Sequence, residues 1–207
     1  MTLDGYFGSF LDLSNFRLNI SSSQFSNIDI PHSNPFFKAS QPQSNSFATD
    51  FLIKDTILGN FQVKHTIFLF ENGLRHYFTF ENITMRNITK KPILNKNLLD
   101  LEYENEWIGG LCVLGRSFYA LQIYNSRFEM INSHCIGLKT ASITFKNVTF
   151  NNSELESPTI KINDESIAET SGVSWIILKI EPSIYRNELM NCKFIENKIT
   201  PKYGGVK

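Results

Sequence analysis

Three carboxylates stand at alternate positions in the segment LEYENEW, namely Glu102, Glu104 and Glu106. Alternate side chains of a β-strand project from one face, so these three would form an acidic stripe. Carboxylate oxygens bind Ca²⁺, and such a stripe could also begin the acidic cleft of a polysaccharide lyase. A calcium site needs further ligands from neighbouring strands, and the neighbouring segments offer Asn and Arg rather than Asp. We therefore interpret the stripe as a solvated outer face and predict no metal site.

A thiol and an imidazole are adjacent at His134 and Cys135. Consecutive residues of a strand point to opposite faces, so the two cannot act as a nucleophile and its base. Cys112 and Cys192 complete an odd set of three cysteines without Cys-x-x-Cys spacing, and we interpret all three as small buried hydrophobic residues. Gly-x-Ser-x-Gly, phosphate-loop and His-Glu-x-x-His motifs do not occur. We predict no catalytic residue and no cofactor.

Composition excludes two classes of partner. The 207 residues carry 20 basic and 20 acidic side chains without a block of like charge, so we expect no nucleic-acid partner. The longest apolar runs, TIFLF and WIIL, are far shorter than the roughly 20 residues of a membrane helix, so we expect no membrane span within this chain. Asp4 lies where a secretory signal has basic residues, so we expect no signal peptide here.

Five segments of the chain share a pattern of an apolar residue, any residue, an apolar residue, any residue, Asn in four segments or Ser in one, and then, three positions on, Phe or Met. The alternation predicts short strands with one buried face. Asparagine tolerates left-handed backbone angles and bonds to nearby backbone groups, so we expect a stacked corner at these positions. The corner positions are Ser22, Asn82, Asn125, Asn147 and Asn191, and the inward positions two residues earlier are Ile20, Phe80, Ile123, Phe145 and Leu189.

The corner positions are 60, 43, 22 and 44 residues apart. We interpret these intervals as multiples of a coil of about 21 residues, with coils that lack the motif in the gaps. Stretches rich in Pro, Gly and polar residues predict loop excursions near residues 29–50, 89–97 and 163–172. Because repeat units flank each loop, we predict one repeat domain over residues 1–207.

The last unit combines Phe194-x-x-Asn197 with Gly204-Gly205-Val206, and Gly109-Gly110-Leu111 repeats the second half of this motif. The pair resembles the Phe-x-x-Asn and Gly-Gly-apolar repeat of polymorphic outer membrane proteins and, more loosely, the pectin lyase-like superfamily. The resemblance implies an all-β, right-handed parallel β-helix with coils of about 20–24 residues, incomplete at one or both ends, in proteins that are secreted or exposed at the cell surface. A leucine-rich repeat and an irregular β fold or β-sandwich are the alternatives.

Asn-x-Ser/Thr sequons occur at five asparagines. Asn82 and Asn147 are also corner residues, and a corner packed against its neighbours cannot carry a glycan. The remaining candidates for N-glycosylation are Asn19, Asn87 and Asn151.

The functional hypothesis is a noncatalytic extracellular or cell-surface module with an adhesion, binding or spacer role in a larger protein. Its partners would be a carbohydrate or a cell-surface protein. The alternative is a carbohydrate-active enzyme of the pectin lyase-like class. An open strand edge after Gly204-Gly205-Val206 would also favour end-to-end self-association.

Overall fold

The computed structural model describes residues 1–5, 10–14, 18–30, 35–40, 50–64, 66–90, 112–132, 135–139, 142–152, 154–157, 176–179 and 187–201. These residues form β-strands joined by bends and short turns, with no helix among them. The all-β prediction is therefore confirmed for this part of the chain. Its cause is visible in the composition, since 18 phenylalanines and abundant Ile and Thr favour extended backbone.

The strands in chain order are β1 (Thr2–Asp4), β2 (Leu11–Ser14), β3 (Leu18–Ser21), β4 (Gln24–Ile30), β5 (Phe37–Ser40), β6 (Asp50–Val63), β7 (Phe68–Lys90), β8 (Val113–Tyr124), β9 (Arg127–Ile131), β10 (Ile136–Lys139), β11 (Ser142–Lys146), β12 (Thr149–Asn151), β13 (Glu154–Ser157), β14 (Ile176–Lys179), β15 (Asn187–Met190), β16 (Lys193–Ile195) and β17 (Lys198–Pro201). The longest of them, β6, β7 and β8, run through more than one of the rows defined next.

All strand pairings among the described residues are parallel, and they arrange the strands in three rows. Row A contains β2, β5, the first residues of β7 and of β8, β10 and β14. Row B contains β3, the first half of β6, the middle of β7, the end of β8, β11 and β15. Row C contains β1, β4, the second half of β6, the end of β7, β9, β12 and β16. The chain passes through the rows in the order A, B, C, while β13 pairs separately with β17.

The distance along the sequence between paired strands varies widely. Leu121 pairs with Ile143, 22 residues later, whereas Phe68 pairs with Val113, 45 residues later. Phe80 pairs directly with Ile123, and Phe145 pairs directly with Leu189. The prediction that coils without the motif fill these two gaps, and with it the uniform coil of about 20–24 residues, is therefore wrong. Paired strands can be separated by different numbers of residues, because the free energy of closing a connection rises only slowly with its length.

The interval from Ser22 to Asn82 does contain one further pass of the chain. Ile20 pairs with Ile53, and Ile53 pairs with Phe80. This pass is part of β6, and the residue at its corner position is Asp55.

The core is built from files of inward side chains that repeat from pass to pass. In row B the file consists of Ile20, Ile53, Phe80, Ile123, Phe145 and Leu189. The first five are buried, as the alternation in the sequence predicted, whereas Leu189 is 54% exposed. In row C the corresponding file consists of Phe25, Leu58, Met85, Phe128, Phe150 and Phe194.

Phenylalanine rings stack along these files. Phe128 and Phe150 have ring centroids 5.1 Å apart, and Phe150 and Phe194 have centroids 5.0 Å apart, with nearly parallel planes in both pairs. Phe37 and Phe68 stack in the same way in row A, at 4.8 Å. The spacing of neighbouring strands, about 4.8 Å, sets these ring distances.

The predicted loop over residues 29–50 contains strand β5 and is wrong over that part. Phe36 and Phe37 are buried against Phe25, and Phe37 pairs with Phe68 in row A. The prolines of this segment suggested a loop, but burial of two adjacent phenylalanines outweighs the breaker signal. Of the other two predicted loops, residues 89 and 90 belong to β7, while residues 91–97 and 163–172 lie outside the described residues.

Candidate functional site

The first repeated feature of the surface is a corner between row B and row C. One residue of each pass has a positive φ here, between 48° and 56°: Ser22, Asp55, Asn82, Asn125, Asn147 and Asn191. Asparagine and aspartate adopt this left-handed conformation at lower cost than most residues, because their short polar side chains bond locally. Of the four predicted corner asparagines, Asn125, Asn147 and Asn191 stand between two strands, whereas Asn82 lies within β7, between its row B and row C parts.

The corner side chains bond to one another rather than to the backbone. Asn147 Nδ2 donates to Asn125 Oδ1 at 2.9 Å, and Asn191 Nδ2 donates to Asn147 Oδ1 at 3.2 Å. In the earlier passes Asn82 Nδ2 donates to Asp55 Oδ1 at 2.6 Å. These bonds lie on the exposed surface and form two runs, Asp55 with Asn82 and Asn125 with Asn147 and Asn191, and we call them together the first ladder.

A second corner follows the first after five residues in every pass. Its residues also have a positive φ, between 47° and 58°: Asn27, Asn60, Asn87, Met130, Asn152 and Glu196. Gly5, with φ 66°, occupies the same position in the pass that contains β1, since Asp4 pairs with Ser26. The second corner interrupts the pairing of row C, which resumes beyond it where Ile28 pairs with Phe61 and Phe61 pairs with Ile88.

The second corner carries its own ladder of side-chain bonds. Asn27 Nδ2 donates to Asp4 Oδ1 at 2.7 Å, Asn60 Nδ2 donates to Asn27 Oδ1 at 2.9 Å, and Asn87 Nδ2 donates to Asn60 Oδ1 at 2.8 Å. We call this row the second ladder. Both ladders lie on exposed residues, so the amides are available to solvent as well as to one another.

Buried hydroxyl groups support the first corner from inside. Ser23, Thr56 and Ser126 each follow a corner residue, and each is less than 9% exposed. Each hydroxyl donates to the carbonyl oxygen two residues before it, at 3.0, 2.7 and 2.7 Å respectively. These bonds satisfy the buried hydroxyl groups and hold the turn in place, while the Lys54 carbonyl also accepts from Ser22 N of the neighbouring pass.

Charged side chains on the outer faces occur as close pairs. Lys54 Nζ lies 3.4 Å from Glu81 Oε1, between neighbouring passes of row B. Arg127 pairs with Glu129 on the same strand of row C. Such partly exposed pairs contribute little to stability, about 0–1 kcal/mol each. They give this part of the surface no strong charge of either sign.

The sequon asparagines occupy different environments. Asn19 is exposed on the outer face of β3. Asn87 is a second-corner residue whose Nδ2, the atom that a glycan would modify, donates to Asn60, so it stands in a ladder as Asn82 and Asn147 do. Asn151 is half-buried in β12 beside the second corner. Exposure therefore favours Asn19 as the acceptor.

Several predicted features lie outside the described residues. They are the acidic stripe of Glu102, Glu104 and Glu106, the residue His134, and the two Gly-Gly-apolar segments at 109–111 and 204–206. Within the described ranges no group of three or more His, Cys, Asp or Glu residues is arranged to hold a metal ion. The same part of the chain contains no helix that is long and apolar enough to cross a membrane.

The sequence interpretation missed the second corner. Its signal was the recurrence of Asn five residues after the first corner, as in Asn82 and Asn87 or Asn147 and Asn152. The motif Phe194-x-x-Asn197 drew attention to the wrong position, because the second corner of that pass is Glu196. Asn197 follows it and donates from Nδ2 to the Phe150 carbonyl at 3.0 Å.

Comparison of the chain with protein-family models, with curated proteins and with solved structures found no match.

Proposed function

We propose that this chain is a noncatalytic, right-handed parallel β-helix module that serves as a rigid spacer or adhesion element outside the cell or at its surface. The observation that carries the proposal is the pair of ladders, which repeat the same two corners through successive passes of the chain. Outward side chains at these corners bond along the stack, while inward side chains stack beneath them. The repeated positions thus maintain the architecture of the chain.

The row arrangement supports a β-helix over the other folds considered. Parallel rows visited in the order A, B, C are what a coil of three strands per turn produces. A β-sandwich is built mainly from antiparallel pairs, and a leucine-rich repeat has only one parallel row. Connections between parallel strands of one sheet are almost always right-handed, which supports the right-handed form.

A stack of this kind is suited to holding two points apart. Each pass contacts only its neighbours, so length is added one pass at a time and the continuous core resists bending. The surface location is supported by the resemblance to polymorphic outer membrane protein repeats and by the exposed sequon at Asn19. A carbohydrate or a cell-surface protein is the partner that this location implies.

Assays on the purified chain would distinguish this proposal from the carbohydrate-active enzyme. We expect no release of reducing or unsaturated sugars from a panel of acidic and neutral polysaccharides, with or without Ca²⁺. We also expect no heat in calorimetric titration with micromolar Ca²⁺, because the acidic stripe lacks further carboxylate ligands in neighbouring segments.

Turnover that Glu104→Gln abolishes would overturn the proposal and favour the enzyme. Asp29→Asn, on strand β4, is the matched control for the loss of one carboxylate elsewhere on the chain. Retention on a glycan array without turnover would support the adhesion role. A flexible chain in small-angle scattering, with no elongated particle, would contradict the spacer role.

A further inference from the structure

Two of the three cysteines are neighbours on adjacent strands of row A. Val113 pairs with Ile136, which places Cys112 and Cys135 opposite each other one residue before this pair. The backbone confirms the alignment, since Cys112 N and Val113 N both donate to the Cys135 carbonyl, at 2.9 and 3.2 Å. Both side chains are buried, with exposed fractions of 0% for Cys112 and 1% for Cys135.

This arrangement fits the separation that a disulfide bond requires. Residues opposite each other on neighbouring strands have Cα atoms about 4.8 Å apart, within the roughly 4.4–6.8 Å found between bridged cysteines. Both cysteines lie in bends just before β8 and β10 rather than inside the regular pairing. Strand pairing therefore fixes the backbone at these two residues less tightly than inside β8 and β10.

The third cysteine has a different environment. Cys192 is half-buried after the first corner, between rows B and C, with its thiol near the carbonyl groups of Phe145 and Met190. It belongs to the same file as Val148, since Lys193 N donates to the Val148 carbonyl. The fold therefore pairs Cys112 with Cys135 and leaves Cys192 alone.

We propose that Cys112 and Cys135 form a disulfide bond between neighbouring passes of the chain when it folds under oxidising conditions. All three cysteines are free in the structure. The oxidant is a small disulfide of the glutathione type. One cysteine thiolate attacks it to give a mixed disulfide and one glutathione thiol, and the second thiolate then displaces the other glutathione. Two protein thiols and one small disulfide thus give one protein disulfide and two small thiols.

The burial of the pair determines when this reaction takes place. Burial raises the pKa of the Cys135 thiol well above its usual value, and a hydrogen bond with the Cys112 thiol raises it further. The thiolate is the reacting species, so the folded, reduced pair reacts slowly. The bond forms before the core closes over these residues, and it is then protected from reductants.

Peptide mapping of the refolded chain tests the proposal. The full chain is refolded with reduced and oxidised glutathione, acidified, alkylated in denaturant with N-ethylmaleimide and digested with trypsin. Cleavage after Lys96, Arg116, Arg127 and Lys139 would separate the two cysteines into peptides 97–116 and 128–139. We expect these two peptides to be linked, and a single alkylated cysteine, in peptide 187–193. Three alkylated cysteines in the refolded chain, or a link to peptide 187–193, would overturn the proposal.

Two controls distinguish cysteine pairing that the fold directs from pairing by chance. The same oxidation in denaturant should give mixed links among all three cysteines, and Cys192→Ser should leave the link between 97–116 and 128–139 intact. The oxidised wild-type chain should melt roughly 5–10 °C above the chain kept in reductant, because the link closes a loop of 24 residues, 112–135. A lower melting temperature of the oxidised chain would mean that the bond does not fit the native fold. The map of the wild-type chain decides the question even if a variant does not fold.

Discussion

At the scale of single residues, the feature that recurs most regularly is the left-handed backbone angle at the corners. Among the described residues, twelve non-glycine residues have φ between 47° and 58°, and eight of these are asparagines. Asparagine is favoured because it adopts this conformation at low cost and because its amide can both donate and accept in a ladder. A long side chain at these positions, such as Met130 or Glu196, is therefore a weak point in the corner.

Met130 is such a weak point. It occupies the second corner with φ 51°, between the passes that have Asn87 and Asn152 at this position, and it is 45% exposed. We expect Met130→Asn to stabilise the chain by roughly 1 kcal/mol, because asparagine lowers the cost of the left-handed angle and restores an amide between its neighbours. Urea unfolding measures the change. Met130→Ala keeps the backbone strain and should give no gain, and equal stabilities for the two variants would contradict this account.

Cys135 makes stability depend on pH in the reduced chain. Burial and the hydrogen bond with Cys112 raise its pKa in the folded state, whereas a cysteine in an unfolded chain titrates near pH 8.5. The unfolded state therefore loses the proton first, and the free energy of unfolding falls as the pH rises above about 8.5. The fall should approach about 1.4 kcal/mol per pH unit for this group.

Urea unfolding in reductant between about pH 7 and pH 10 measures this effect. Cys135→Ala removes the titrating group, so its stability should fall less steeply over the same range. Parallel curves for the wild type and the variant would show that the Cys135 thiol is not protected in the folded state.

At the scale of strands, alternation of apolar residues decides which side chains point inward. The file of Ile20, Phe80, Ile123 and Phe145 could be predicted because period-2 alternation is a local property of the sequence. The pairing partner of each strand was harder to predict, because paired strands are separated by different numbers of residues and no fixed interval relates them. The pass through Ile53 was predicted only as a coil without the motif, since Asp55 takes the place of the corner asparagine.

Phe145 tests the contribution of an inward file to stability. It is fully buried between Ile123 and Leu189 of the neighbouring passes. Phe145→Ala should lower the free energy of unfolding by roughly 3–5 kcal/mol, through lost burial and the cavity left behind. Leu189→Ala is the matched control in the same file, and it should cost less than about 1 kcal/mol because Leu189 is 54% exposed. A small loss for Phe145→Ala would place this residue outside the core.

At the scale of the whole molecule, the two candidate functions rest on different parts of the chain. The noncatalytic module rests on the corners, and the enzyme rests on the acidic stripe. The corner asparagines were found because Asn recurs with Phe or Met three positions later. Their bonding to one another was not foreseen, since a sequence shows which residues share a position but not whether their side chains face the backbone or the next pass. The acidic stripe that would carry catalysis lies outside the described residues and remains a prediction.

Apolar side chains are exposed on β15 and β16, which pair on one side with β11 and β12. Leu189, Met190, Phe194 and Ile195 are between 41% and 54% exposed. An apolar strand edge favours addition of a further strand, so we expect copies of this chain to associate with increasing concentration. Light scattering over a concentration series measures the association.

Phe194→Lys should weaken this association, because it places a charge at the exposed end of the row C file. Ile57→Lys is the matched control, since Ile57 is 39% exposed on β6, whose strand pairs on both sides. A monomer at every concentration, with a high melting temperature, would show that this edge does not direct self-association.

The ladders also have a direction. In both of them the amide of a later pass donates to the oxygen of the earlier one, and the second ladder begins with Asp4. In the first ladder Asp55 is the acceptor for Asn82, and Asn125 begins the run to Asn147 and Asn191. An ionised carboxylate has no hydrogen to donate, so it can stand only at the head of such a row. An aspartate in place of Asn60 would bring its carboxylate against Asn27 Oδ1, and both of these groups are acceptors. If the Asn27 amide rotated to donate to this carboxylate, its Oδ1 would face the Asp4 carboxylate instead. Slow hydrolysis of one side-chain amide, the ordinary ageing of exposed asparagines, would therefore disturb the ladder bonds of the earlier passes as well. For the same reason, passes of the chain could not be exchanged without regard to their order.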